Sequence, residues 1–264
     1  MALMLLDNNN SGGFRTTGTN GRFAASAPPT SVVSNGLVLH LDAGKAASYP
    51  GSGTTWNDLS GNGNHGTLFN SPTFASTTNG GELIFNGSNQ YGTTPTTNFP
   101  FESNQFGGYG GQPKPTTISV WAKASVASGM RQVFAYGGWA GSQAKAVGQL
   151  GGTLRASFSS VVLGESLNTG ISTPLNTWFH LTFVYTAAGQ IILYVNGSSV
   201  VVSNDWVLNS RSLVTEAGIA RGVTNSPAGD KEYWQGSIGS ILVYNRALSA
   251  AEILQNYSLQ WGTT

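Results

Sequence analysis

The sequence predicts an all-β fold: a β-sandwich of two antiparallel sheets, with an extended N-terminal arm and one short C-terminal helix. Short segments of alternating apolar and polar residues recur at roughly even spacing, with Gly-, Asn- and Pro-rich turns between them, the pattern of sandwich strands. Residues 191–195, Asn196-Gly197 and residues 198–202 form a hairpin signal, because Asn-Gly accepts the positive φ values of a two-residue turn. Helical periodicity stands out only after Ser249. The 264 residues suit one large sandwich plus an arm, and a chain of this size buries ~70% of its unfolded surface without a disulfide or metal staple.

Composition narrows the function classes. Charged residues make up 9% of the chain, against about 25% in an average globular protein, so the polar surface is neutral and rich in hydroxyls and amides. The 12 basic and 11 acidic residues are scattered, which leaves no basic stripe for phosphates and argues against nucleic acid as a partner. The absence of cysteine removes disulfides, thiolate zinc sites and cysteine nucleophiles together. No apolar run approaches the ~20 residues of a membrane span. Residues 1–6 are apolar but lack a basic flank and run into Asp7 and three asparagines, so they do not read as a secretory signal. Near-zero net charge gives little self-repulsion, which suits a protein fixed in an assembly.

Residues 1–34 form the arm. Gly, Asn, Thr and Ser dominate it, with an apolar tip containing Leu3, Leu5 and Leu6 and two large side chains, Phe14 and Phe23; such a segment does not bury enough surface to fold unaided. Two readings stand: a disordered leader or linker, or a segment that orders on other subunits with those five residues as anchors. Pro28-Pro29 stiffens the joint. The sandwich then occupies 35–264.

Its first strand places Leu37, Leu39 and Leu41 on one face and Val38, His40 and Asp42 on the other. His40 reads as a histidine facing away from the core rather than a catalytic one, since no second histidine or carboxylate pair accompanies it. In the loop 56–66, glycines supply positive φ, and Asp58, Asn62 and Asn64 bond nearby backbone. From Tyr91 to Thr116 the sequence is irregular and carries Phe99, Phe101, Phe106 and Tyr109; these aromatics either pack back on the sandwich or form an exposed contact surface. Strands follow at 118–123, 133–137, 154–158, 161–163 and 178–185, with 137–152 read as a glycine-rich connection around Trp139. In 178–185, Phe179, Leu181, Phe183 and Tyr185 face the core, and Trp178, His180, Thr182 and Val184 the opposite side.

The closing segment is YWQGSIGSILVYNRALSAAEILQNY, residues 233–257. A strand alternating through Gly239, Ile241 and Val243 turns at Asn245 into a helix, with Ser249 three residues before Glu252 as a capping box and Ile253, Leu254 and Tyr257 as its apolar stripe. It resembles the closing segment G-x-I-D-E-V-R-I-Y-N-R-A-L-S-x-x-E-I of laminin G-like, concanavalin A-like jelly-roll domains. Residues 36–74 resemble that family's opening strand and D-x-S-G-N-G-N-x-G loop, 81–91 its L-x-F-[DN]-G-x-x-x-Y segment, and 178–197 its W-x-H-[VL]-x-x-x-Y strand and Y-[VI]-N-G hairpin. The motifs occur in the family's order over 36–258, so the resemblance implies a jelly-roll sandwich.

The family includes glucanases, whose chemistry needs two carboxyl groups ~5 Å apart for retention or ~6.5 to 9.5 Å for inversion. Their E-x-D-x-x-E or E-x-D-x-E strand is missing, Asp230 and Glu232 lie in a turn-like stretch, and no G-x-S-x-G elbow occurs, so enzyme activity is not expected. In many relatives a calcium ion sits near the closing strand; the matching positions are Gly239, Asn86 and Asn89, without the carboxylates that hold such an ion. No cofactor is expected. Recognition remains, with Trp121, Lys123, Trp178 and His180 on the face away from the core and Trp139, Trp206 and Trp234 in loops; aromatic faces beside hydroxyls and amides suit a sugar ring, and the alternative is that these rings are packed.

The opening and closing motifs also resemble jelly-roll domains of bacteriophage virion proteins. The resulting expectation is a non-catalytic virion surface protein, a capsid decoration or tail accessory, attached through the arm to other virion proteins or to itself, and binding a host surface glycan. The alternatives are a bacterial surface or secreted carbohydrate-binding module and a divergent glycan hydrolase.

Overall fold

Ten residues, Gln235–Tyr244, form the hub of the first sheet, with every position but the first buried. In this computed structural model, which describes residues 29–77, 80–100, 114–137, 145–160, 163–203, 216–222 and 232–259, that strand is β16 of sixteen strands, followed by one helix. The first sheet also contains β1 (Leu37–Asp42), β4 (Thr73–Thr77), β5 (Gly80–Asn86), β7 (Thr116–Ala124), β12 (Trp178–Tyr185), β13 (Ile191–Val195) and β14 (Ser198–Ser203). Their order is β14-β13-β12-β7-β16-β5-β4, with β1 also paired to β16. All these pairings are antiparallel. β5 takes the half of β16 up to Ile238, and β1 takes the half from Ser240 to Tyr244. Gly239 lies at the changeover, where the register with β7 shifts and its carbonyl accepts the Ala43 N–H at 2.8 Å.

The second sheet runs β11 (Leu163–Ser172), β10 (Thr153–Ser160), β9 (Lys145–Leu150), β8 (Met130–Tyr136), β15 (Glu216–Ile219), β6 (Tyr91–Pro95), β3 (Gly66–Phe69) and β2 (Thr55–Trp56). Two eight-stranded antiparallel sheets enclosing one apolar layer make the expected jelly-roll sandwich. Leu39, Leu83, Val120, Phe183 and Ile241 from the first sheet meet Trp56, Phe134, Val147 and Phe158 from the second, all essentially unexposed. The Asn196-Gly197 turn has both φ values positive, 50° and 77°, as a two-residue hairpin requires.

Three strand expectations change. β9 occupies part of the segment read as a glycine-rich connection; Ala146 and Gly148 on one face hide its alternation, and a side chain at Gly148 would collide with the Arg131 carbonyl. β10 continues to Ser160 and β11 runs ten residues from Leu163, longer than the short strand expected at 161–163, of which 161 and 162 lie outside the described residues. Leu37 does not share a face with Leu39, because the register of β1 shifts between them; Val38 joins Leu39 in the main core and Leu37 packs on the other side.

That other side holds a second, smaller core. Helix α1 (Ala250–Ser258) starts at Ser249 with the expected capping box: the Ser249 hydroxyl accepts the Glu252 N–H, and Glu252 accepts the Ser249 N–H at 2.9 Å. The helix lies on the outer face of the first sheet, where Ile253 and Leu248 meet Val184, Tyr194, Leu242 and Tyr244. Leu254 is 54% exposed and is not part of the buried stripe. Asn256 is buried instead, donating to Tyr244 Oη and accepting the Val33 N–H, both at 2.9 Å. Val32 and Val33 pack into this cluster, so the last residues assigned to the arm are a piece of the sandwich. Leu3, Leu5, Leu6, Phe14 and Phe23 lie outside the described residues, as do Phe101, Phe106 and Tyr109. Phe99 is buried and packs edge-on against Tyr136.

Candidate functional site

The outer face of the first sheet carries four of the residues expected to meet a sugar, and the structure divides them. Trp121 and His180 sit under α1: Tyr257 stacks on Trp121 with centroids 5.4 Å apart and planes 9° from parallel, and lies 5.7 Å from the His180 ring. Both are buried, so the expectation of an open Trp121–His180 platform is corrected by the helix that covers it. His180 Nε2 is 2.6 Å from Ser119 Oγ, which also accepts from Thr182 at 3.0 Å. A hydroxyl on an imidazole resembles a nucleophile and its base, but Ser119 is 2% exposed, and burial pushes the His180 ring down to about 3. No substrate reaches the pair in this conformation. Trp234 is likewise a core residue, edge-on to Phe179, with its indole N–H donating to the Ser237 carbonyl at 3.3 Å. Trp139 and Trp206 lie outside the described residues.

Lys123 and Trp178 remain at the surface. They are paired across β7 and β12, the ammonium lies 5.1 Å from the indole centroid, and Lys123 also meets Glu82 Oε2 at 2.8 Å. Cation and carboxylate satisfy each other, so this corner is closed electrostatically.

The positions matching the family's calcium site do not converge. Asn86 pairs with Gln235, while Gly239 lies one position beyond the pair Leu83–Ile238, four positions along β16 from Gln235. Asn86 Oδ1 accepts the N–H groups of Ser88, Asn89 and Gln90 at 3.0 to 3.3 Å, and its amide donates to Asn89 Oδ1 at 2.8 Å. The side-chain carbonyl thus organises the loop around itself. Among the described residues no group of three or more His, Asp or Glu is placed to hold a metal.

The 56–66 loop is structural, as its sequence implied. Asp58 accepts from the backbone of His40, Ser60 and Asn64 and from the Ser60 hydroxyl, all within 3.0 Å. His40 is buried 3.8 Å from Asp42, beneath no catalytic partner set.

A different group emerges on the outer face of the second sheet, one that the sequence did not single out. Phe69 of β3 and Tyr91 of β6 are register partners, and their rings stack at 4.7 Å and 16°. Arg221, just after β15, lies with its guanidinium carbon 4.2 Å from the Tyr91 centroid, and Tyr233 stands 6.0 Å from the same ring. Phe69 is 37% exposed, so the stack opens to solvent. An amide rim borders it: Asn70 donates to the Asn89 carbonyl at 2.6 Å, and Gln90 donates to the carbonyls of Asn70 and Ser71 at 3.1 and 2.8 Å. Arg131 ties rim to ring by donating to the Gly87 and Tyr233 carbonyls. Gly87, at φ 74°, has no room for a side chain between Arg131 and Gln235. The only sequence signal was the period of Gly66–Phe69, which points Thr67 and Phe69 outward.

This architecture can be placed among known proteins. The family model of the concanavalin A-like lectin/glucanases superfamily matches residues 86–254. The chain belongs to that superfamily. Domain 4 of AbnA, a GH43 extracellular arabinanase from Geobacillus stearothermophilus, in complex with arabinotriose, is similar at a TM-score of 0.59 and 15% identity, over 83% of this chain and 96% of that one. The botulinum neurotoxin serotype D binding domain is similar at 0.59 and 17% identity, over 86% of this chain and 52% of that one. For the type G receptor binding domain the values are 0.59, 16%, 85% and 51%. The chain therefore spans about half of these toxin binding domains, and at such identities the likeness shows the fold. No curated protein matches the chain in sequence. Within the superfamily's sandwich, Glu82 sits on the outer face of the first sheet paired with Lys123, whereas Glu232 lies against β8 of the second, its carbonyl accepting the Gln132 N–H. These two acids do not flank a common bond.

Proposed function

We propose that the domain is a non-catalytic glycan-binding module, displayed extracellularly or on a surface, that holds a sugar on the Phe69–Tyr91 stack. The observation that carries this reading is the stack itself: an exposed ring backed by a second ring and bordered by amides. The apolar face of a sugar ring covers such an aromatic while its hydroxyls meet the polar rim. The fold likeness to a domain solved in complex with arabinotriose supports the same class of ligand. The virion placement rests on the resemblance of the opening and closing motifs alone, and the similar structures favour the alternative of a surface or secreted carbohydrate-binding module.

The test is calorimetric titration with a panel of neutral and acidic oligosaccharides. Phe69→Ala and Tyr91→Ala should each weaken binding about tenfold or more, the loss of one aromatic contact of roughly 1.5 kcal/mol, while the purified protein releases no reducing ends. Binding indifferent to both substitutions, or hydrolysis abolished by replacing Glu82 or Glu232, would overturn the reading.

A further inference from the structure

Among the described residues, three cations of the first sheet or its connections face carboxylates. Lys45 faces Asp42 at 3.8 Å, Lys123 faces Glu82 at 2.8 Å and Arg246 forms a fork with Glu252 at 2.6 and 3.0 Å. Each of these pairs belongs to the first sheet or its connections. On the second sheet Arg131 donates only to backbone carbonyls, those of Ser128, Gly87 and Tyr233. Arg221 is 9% exposed, its Nε is buried without an acceptor, and the Tyr91 ring is what it touches.

A guanidinium carries five donors in a planar fork and keeps its charge at any physiological pH. Burying it without an acceptor is costly, so native proteins seldom leave one in that state. The Arg221 stem is held in place: a Cβ at Gly218 would stand 3.0 Å from Arg221 Cγ, so the glycine makes room for the side chain to fold across β15. The Glu232 carboxylate packs against Gly222, so Arg221 and Arg131 together outweigh this one acid. A guanidinium whose Nε is buried without an acceptor among the described residues therefore adjoins an aromatic platform.

We infer that Arg221 and Tyr91 form a subsite for an acidic sugar residue. The guanidinium takes an oxyanion carried on the ring, a carboxylate or a sulfate, in the paired geometry that an arginine fork favours. The Tyr91–Phe69 stack holds the apolar face of the same or the adjoining sugar. This rests on the glycan-binding reading and specifies its ligand class.

The experiment titrates the full chain with an oligogalacturonate, its methyl ester, a sulfated galactan oligosaccharide and a neutral arabino-oligosaccharide. The free acid should bind about tenfold more tightly than its ester, as a charge-assisted fork implies, and the preference should shrink as salt is added. Arg221→Met should erase the preference while leaving binding of the neutral sugar in place, and Arg221→Lys should keep part of it. Because Met removes a buried unpaired cation, that variant should melt no lower than the parent. Equal affinity for acid and ester, or a preference that survives Arg221→Met, overturns the subsite and leaves the module intact as long as neutral sugars bind through Tyr91. If no oligosaccharide of the panel binds, the subsite and the module fall together. The sulfated arm decides which oxyanion the fork takes.

Discussion

Tyr257 lies flat on Trp121, nearly parallel at 5.4 Å, and so turns what the strand pattern offers as an exposed indole into the floor beneath a helix. The contact is the end of a longer seal. Asn256 holds Val33 and Tyr244 from the same helix turn, and Ser249, Glu252 and Arg246 lock its start.

Removing the ring should therefore register at Trp121. Tyr257→Ala is expected to lower stability by about 1 to 2 kcal/mol, the scale of an aromatic pair plus partial burial. Indole emission should shift to the red and become accessible to acrylamide. An unchanged spectrum and melt would show that the helix rests on the sheet without depending on that stack.

Acid should act in two windows. The His180 ring is held down to about 3 by burial, so the folded chain keeps it neutral while the unfolded chain protonates it from about pH 6.5 downward. Its contribution is complete above that pH and declines as pH falls toward 3, by up to about 1.4 kcal/mol per pH unit. Glu252 is drawn down to about 2, first by the Arg246 hydrogen bond and then by Ser249, against the opposing effect of burial. Its contribution is complete above the ordinary carboxylate range and declines as pH falls through 2. Urea denaturation across pH should show the upper slope in the parent and not in His180→Gln. A parent whose stability is level between about pH 6.5 and 5 would remove His180 from this account.

The start of the sandwich can be located by truncation. Deleting residues 1–28 should leave a cooperative melt. Deleting 1–33 also discards Val33, 9% exposed, and its bond to Asn256, which should cost about 2 kcal/mol more. Equal melting of the two proteins would mean that the second core tolerates an open flank. The arm's proposed role, ordering on neighbouring subunits, is read in the same pair of proteins: loss of self-association or particle binding with the fold retained is the expected result.

Chelation should do nothing. The Asn86 carbonyl already occupies the centre of its loop, accepting from three backbone N–H groups, and Gly239 is committed to the changeover in β16. A melting temperature that falls by many degrees in EDTA would reveal an ion held by other oxygens; a site saturated at about a hundred times its dissociation constant contributes about 2.7 kcal/mol.

Which features were legible follows from how local their physics is. The Asn196-Gly197 turn, the Ser249–Glu252 box and the inward face of β12 are set by residues within a few positions of one another, and each was readable in the chain. β9 and β11 escaped because alanine, glycine, serine and asparagine carry little apolar contrast. Period-two alternation separated Val184, Leu242 and Tyr244 from the main core but was silent about a helix that buries them a second time. The Phe69–Tyr91–Arg221 group draws one residue each from β3, β6 and the end of β15. Such a meeting depends on strand order and register, which no local pattern encodes.

β16 has a consequence for how the chain reaches this state. It is the last strand, yet β1, β5 and β7 all pair with it. During synthesis those three are made early and wait with unpaired edges until residues 235–244 leave the ribosome. Sheet closure between Leu37 and Tyr244 joins segments far apart in sequence, a topology that folds slowly and leaves strand edges open to wrong partners meanwhile. A nascent chain released before residue 235 lacks the strand that joins β1, β5 and β7 and cannot close its first sheet, so premature termination there should give aggregate rather than a smaller stable domain.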